Sequence, residues 1–319
     1  MPFVLSERSR PISANDCLIR PPSAFTILVL IDHDDSVTEL PSRCLAVRVL
    51  HVTPALELKR AATRRYGVVR RVDDLKSALV LSSAMAIAAA AAVPLLLPSL
   101  PPGARSLPFP QPVFCTVLAV QLVVVYGLLG FVGLRLARTR GFEPAPCLTA
   151  IWNPQANRWG RRRAGAAFAI GLICGALLVA AVAAIQRLLP GTLPEMLHPP
   201  GVAASVLASV AGSFGEEILF RLFALSLLLR LLPNGRVGMT VAIGASALAF
   251  AAAHAPALVF LFGGWHEVPR MSWVWLIALN GMLGVVFGVV YLRDGIVCAV
   301  LAHLGTDLVW HSASQLLRA

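Results

Sequence analysis

Seven apolar runs, each near the roughly 20 residues that cross a bilayer as a helix, leave this chain little choice of fold. They cover about residues 78–97, 112–134, 164–186, 202–232, 237 to past His254, 273–292 and 296–317, with Ala257–Phe262 either extending the fifth or forming a short separate helix. Inside lipid the backbone polar groups must be satisfied within their own segment, so such runs become helices. The chain is 57% hydrophobic and 13% charged over 319 residues, with a mean hydropathy of +0.76. That is too little polar surface for a water-soluble globule. The fold class expected is an all-α polytopic transmembrane helical bundle of seven spans, or eight if residues 255–272 re-enter.

Residues 1–75 read differently. Pro11, Pro21, Pro22, Pro41 and Pro54 interrupt them and charge is dispersed throughout, which predicts an N-terminal extramembrane tail, partly disordered, ahead of a transmembrane domain at 76–319. The patch Phe25–Ile31 is too short to span. Residues 56–76 are basic and suit either a helix lying on the membrane surface or a solvated flank.

Lys and Arg number 27 against 16 Asp and Glu, a formal charge of +11. They gather where apolar runs end: in the tail, along 135–163 and at 230–236. Cytoplasmic flanks hold such an excess, which predicts an integral protein of the plasma (inner) membrane with its tail cytoplasmic. The partners implied are membrane lipids and no nucleic acid, since no recognition fold accompanies the charge. The six cysteines form no CxxC pair and imply no disulfide framework.

Against this background the stretch Ser213-Phe214-Gly215-Glu216-Glu217-Ile218-Leu219-Phe220-Arg221 is anomalous. Insertion scales charge roughly 2.5 to 3.5 kcal/mol for each Asp, Lys or Arg at a helix centre. Successive helical residues point about 100° apart, so Glu216 and Glu217 cannot share one job. Glu217 and Arg221 are spaced i,i+4 with the acid first, the favourable order for an ion pair. Glu216 is left without that partner and is the candidate general base. Later spans add His254, then His303 and Asp307 on one helix face. At about 1.5 Å per residue these groups lie about 20 Å (Glu216), 25 Å (His254), 12 Å (His303) and 18 Å (Asp307) from the inner helix ends, so one site built from three helices is feasible. His311 continues the last face near its end. Asp32-His33-Asp34-Asp35 and His266-Glu267 lack helical metal-ligand spacing and read as surface polarity, and Gly281, Gly284 and Gly288 as helix-packing positions.

Glu216-Glu217-x-x-x-Arg221, Phe250-x-x-x-His254 and His303-x-x-x-Asp307 resemble, in order and spacing, the three motifs of the CPBP intramembrane proteases, also called the Abi or CAAX-protease family. The resemblance covers about residues 200–317. It implies that Glu216 and His254 activate a water, that Glu217 and Arg221 support the site, and that His303 with its i+4 partner stabilises the oxyanion. The family more often carries Asn at the last position; Asp307 must then be protonated or orient His303, because an ionised carboxylate has no proton to donate. The function implied is an endopeptidase acting inside the membrane on peptide or lipidated protein substrates. The same four groups, Glu216, His254, His303 and Asp307, leave zinc open as a cofactor. A non-catalytic scaffold or immunity protein, whose polar cluster only holds helices together, and a proton-coupled transporter are the alternatives, the latter weakened because no internal repeat is visible.

Overall fold

The computed structural model of the protein describes residues 71–99, 105–152, 160–193 and 201–316. The expected tail lies outside the described residues up to residue 70, as does the Asp32–Asp35 cluster; residues 71–75 form the first turn of α1 (Arg71–Leu96). There follow α2 (Gln111–Thr139), α3 (Pro146–Trp152), α4 (Arg161–Leu188), α5 (Val202–Glu216), a π-helical stretch (Glu217–Leu225), α6 (Ser226–Leu231), α7 (Arg236–Ala253), α8 (Ala255–Phe262), α9 (Arg270–Asp294) and α10 (Ile296–Leu316). Among the described residues there is no strand. Six spans are long and apolar enough to cross a membrane, α5–π–α6 and α7–α8 each counting as one, and Ile296–Ser312 is a shorter apolar helix. Residues 255–272 do not re-enter: α8 prolongs the α7 span, and Gly263 (φ +82°) turns the chain back toward α9.

Alternation of the spans gives the bundle two ends. One gathers residue 71, the 139–161 connection, and the turns at 231–236 and 294–296; ten of the thirteen described arginines outside the core lie there. The arginines form clamps. Arg138 Nε is 2.7 Å from Asp74 Oδ1, and the same guanidinium pairs with Glu143, tying α1 to α2 and to the loop after it. Arg140 Nη2 donates to the carbonyls of Arg230 (2.9 Å) and Leu232 (2.8 Å), groups a helix end leaves without partners. Gly295 (φ +87°) makes the α9–α10 turn, and a Cβ there would press against Pro146 at 2.5 Å. Ile296 N donates to Pro144 O at 2.7 Å, which seats the loop before α3 under that turn.

Above these clamps Leu134, Leu148, Ile218, Leu222, Leu225, Tyr291, Ile296 and Val300 close into one apolar core. Outward, Val120, Val124 and Leu128 on α2 and Ile173 and Leu177 on α4 are exposed, as lipid-facing positions should be. α10 is held by close backbone approach to α4. A Cβ at Gly171 would collide with the carbonyl of Ala302, and Thr306 Oγ1 donates to Gly171 O at 3.1 Å. Gly171→Leu is therefore expected to lower stability by at least the ~1–3 kcal/mol typical of overpacking. Gly165→Leu, where nothing lies within 4 Å of the new Cβ, should be neutral; thermal unfolding in detergent compares the two.

Candidate active site

The six ionisable groups picked out in the sequence converge from three helical rods. The first is the α5–π–α6 span. A π turn is wider than an α turn and leaves backbone groups to be bonded elsewhere, and such turns concentrate at functional sites. Here the buried Ser246 on α7 donates to Phe220 O at 2.7 Å. Glu217 opens the π stretch and Arg221 follows one turn on, both essentially inaccessible, with Arg221 Nη1 3.0 Å from Glu217 Oε1. The guanidinium lies 4.3 Å from the Phe250 ring centroid and 5.4 Å from that of Phe287. It is thus desolvated by aromatic faces that still attract a cation. Gly284 lets α9 approach α7, since a Cβ there would meet Ala247 at 2.8 Å, and its carbonyl lies 3.4 Å from Arg221 Nη2. Gly288 is a looser close contact, and Gly281 meets nothing within 4 Å, so the packing role expected of that position is absent.

The second rod is α7–α8. Pro256 has no N–H and its ring clashes with the carbonyl four residues back, so the helix breaks at His254. His254 Nδ1 lies 2.9 Å from Phe250 O. A carbonyl only accepts, so the proton is on Nδ1 and Nε2 presents a lone pair. That lone pair faces Glu216 Oε2 across 3.9 Å.

The third rod is α10. His303 is buried with its ring stacked on Phe287 at 4.7 Å, and its Nδ1 lies 2.9 Å from Glu217 Oε1. An ion-paired carboxylate accepts only, so Nδ1 carries a proton and His303 is oriented by Glu217. Nε2 then points between Glu216 Oε2 (3.7 Å) and Asp307 Oδ1 (3.6 Å). Orientation by Asp307, one of the two roles the motif allowed, would require it at Nδ1, where Glu217 already stands. Asp307 Oδ2 is 3.5 Å from the hydroxyl of Ser213, which donates to Ser209 O at 2.6 Å. His311 is half-buried further along the same helix, and His266 and Glu267 are exposed in the α8–α9 loop.

Glu216 stands apart from this lattice. Its side chain is 35% exposed, yet Oε2 is itself inaccessible and has no hydrogen-bond partner. Glu217 Oε2 also has no hydrogen-bond partner, but its side chain is fully inaccessible, whereas that of Glu216 is partly exposed, so the Glu216 orphan marks a place for a water or a reacting group. Zinc does not fit there. Among the described residues no three His, Cys, Asp or Glu side chains are placed to hold a metal ion. Phe287, Ser213 and Gly212 also belong to the site and were not singled out in the sequence. Ser213 signals itself only as the residue one turn before Glu217, and an apolar helix gives Phe287 no distinguishing mark.

Residues 198–309 match the family model described as Rce1-like, type II CAAX prenyl endopeptidase. The matched stretch contains all three motifs, and it supports the CPBP or CAAX-protease family for this part of the chain. No curated protein and no solved structure matches.

The geometry separates the two glutamates by consequence. Glu217→Gln leaves Arg221 buried without its counter-charge and is expected to destabilise by about 3–5 kcal/mol. Glu216→Gln removes a carboxylate without a hydrogen-bond partner and should leave stability unchanged or raised. Melting temperatures of the two purified variants in one detergent check this contrast.

Proposed function

We propose that the chain is an intramembrane endopeptidase of the CAAX type, in which Glu216 and His254 hold and deprotonate the attacking water. The observation that carries this reading is the orphan Oε2 of Glu216, facing the lone pair of His254 Nε2 at 3.9 Å. Two acceptors at that distance are too far apart to bond each other. One water can donate a hydrogen to each, which leaves its own lone pairs free for an electrophile.

Glu216 takes one proton as the water oxygen bonds to the scissile carbonyl carbon. The carbonyl oxygen becomes an oxyanion, for which His303 is the donor at hand. Because Nδ1–H is committed to Glu217, a donor at Nε2 requires the imidazolium form. The carboxylates of Glu216, Glu217 and Asp307 around one imidazole supply the negative surroundings that favour it. Asp307 then accepts from the same Nε2–H and is displaced by the oxyanion. Collapse of the tetrahedral intermediate breaks the C–N bond, and the proton held by Glu216 passes to the leaving amine. The products are a carboxylic acid and an amine, with one water consumed. Glu217 and Arg221 touch no reacting atom; they position His303.

Substrates on this reading are peptide segments that reach the middle of the bilayer. Glu216→Gln is expected to abolish cleavage in a folded protein, read as loss of specific peptide termini when cells carrying the two forms are compared by proteomics. Full activity in that variant would sink the mechanism, while an unchanged phenotype and unchanged termini would favour a scaffold. Chelators should leave activity intact and purified protein should carry less than stoichiometric zinc; inhibition reversed by zinc would overturn the metal-free route.

A further inference from the structure

We infer that Asn280 on α9 is a substrate-binding residue of this site, its side-chain amide pairing with a backbone peptide group of the polypeptide beside the bond that is cut. The identity of the occupant rests on the peptidase reading above; the position of Asn280 at the site does not.

Polar residues within a membrane span are rare, and they face the bundle interior or a polar cavity rather than lipid. The winding of α9 shows which way this one faces. Residues seven apart on an α-helix differ by only about 20° in direction, so Asn280 shares a stripe with Phe287, which Leu276 and Leu283 complete. Phe287 is fully buried, stacked on His303 and with its ring centroid 5.4 Å from the Arg221 guanidinium. The exposed residues Val274, Met282, Val285 and Val289 point about 120° or more away from Asn280. Two contacts then fix its level. α9 runs antiparallel to α7, and Gly284 meets Ala247, so Asn280, four residues earlier, is level with Ala251, between Phe250 and His254. α9 also runs antiparallel to α10, and Phe287 meets His303, so Leu283 is level with Asp307 and Asn280 lies one turn past them. On that inward stripe Leu283 and Phe287 are buried, but Asn280 is only half-buried. The amide is inward-facing without being packed over as those two side chains are.

The chemistry of the amide fits a need that the ionisable groups leave open. Asn280 Nδ2 donates one hydrogen to Leu276 O at 3.1 Å. A primary amide carries a second N–H and an oxygen acceptor, and neither is bonded among the described residues. Together they complement the C=O and N–H of a peptide unit. Elsewhere in the site Glu216, Asp307 and His254 Nε2 accept, Glu217 and Arg221 are inaccessible, and the Nε2 donor of His303 is engaged by the scissile carbonyl. A polypeptide drawn into the bundle leaves behind the water that bonded its peptide groups, and each group left unpaired costs free energy. Asn280 supplies a donor for one neighbouring carbonyl and an acceptor for one N–H. Being neutral, it does so without disturbing the charges around His303.

The test separates position from binding. In full-length protein with its six native cysteines replaced by alanine, Asn280→Cys and Ala278→Cys are treated in detergent micelles with a charged, water-soluble methanethiosulfonate. The thiol at 280 is expected to react severalfold faster than the one at 278, which lies on the exposed face of α9; equal rates overturn the position. Binding is read with a synthetic peptide copied from the sequence around a terminus lost in Glu216→Gln cells. Asn280→Leu, similar in volume, should raise KM about tenfold, the size expected for one or two lost neutral hydrogen bonds. Its kcat and Tm should change little, the pattern of lost ground-state binding. Asn280→Gln, which keeps the amide, should recover part of the loss. An unchanged KM in Asn280→Leu, or an equal loss in Asn280→Gln, leaves the amide serving only its own helix and overturns the binding role. If Asn280→Leu unfolds, Asn280→Ser replaces it with the same expectation. Fast reaction at 280 with no Glu216-dependent termini keeps Asn280 in the polar cavity but fails the peptidase reading, and the binding role with it.

Discussion

One buried ion pair, Glu217 with Arg221, sets the conditions for everything polar in this bundle. A guanidinium without a counter-charge is prohibitively expensive in an apolar interior, and Glu217 Oε1 supplies the charge at 3.0 Å. The same oxygen also takes the Nδ1 proton of His303 at 2.9 Å. A group introduced to neutralise an arginine thereby fixes the tautomer and direction of an imidazole on a different helix. Phe250 and Phe287 close around the guanidinium and the imidazole alike, keeping water from competing for those bonds. The low dielectric that makes the pair costly to bury also makes each of its contacts strong. Glu216, one residue earlier, is turned out of this lattice and keeps an unsatisfied oxygen.

The helical rods were legible because membrane insertion leaves few options. Hydropathy alone places the spans, most ends falling within about five residues of the observed ones although α1 begins at Arg71 rather than near residue 78, and Pro233-Asn234-Gly235 marks the end of α6. The same method is blind to α3, a seven-residue helix whose position depends on Gly295 and Pro144 rather than on its own composition. The π stretch is likewise invisible. Nothing in Glu217–Leu225 forbids an ordinary α-helix, and the wide turn depends on partners elsewhere in the chain, such as Ser246 for the carbonyl of Phe220. The polar residues announced themselves by their rarity, and i,i+4 spacing was enough to pair Glu217 with Arg221. Which carboxylate orients His303 was not readable, because spacing favours Asp307 on its own helix while the answer lies 86 residues away at Glu217. Zinc stayed open for the same reason: ligand types are written in a sequence, but the separations that decide between a metal and a water are not.

The arginine-rich loop changes its meaning in three dimensions. As sequence it is a run of positive charge that orients the first spans; as structure its side chains hold the frame beneath the site. Arg138 bonds α1 to the loop after α2, Arg140 occupies the carbonyls where α6 ends, and Arg163 reaches Asp294 at 3.5 Å. Exposed ion pairs contribute little each, but Asp74 is fully buried and the carbonyls at 230 and 232 would otherwise lack a donor from the helix. These contacts fasten the end of α2 to α1 and to the end of α6, and the start of α4 to the end of α9.

That fastening bears on how a site can be both open and preorganised. Catalytic groups need fixed geometry, whereas a substrate needs room to enter. A bundle closed at both ends would be rigid but inaccessible, and one loose at both ends could not hold Glu216 and His254 at 3.9 Å. Here the apolar core and the arginine clamps fix one side of the polar layer. Gly212 leaves space beside Glu216 and Asp307. The kink is part of the same division. Pro256 removes the hydrogen bond that would continue the helix, so α7 ends at Ala253 and α8 begins at Ala255, while Phe250, one turn below, remains locked among Arg221, Phe287 and His303. The residue between those two conditions is His254, anchored from below through Nδ1 and open above through Nε2.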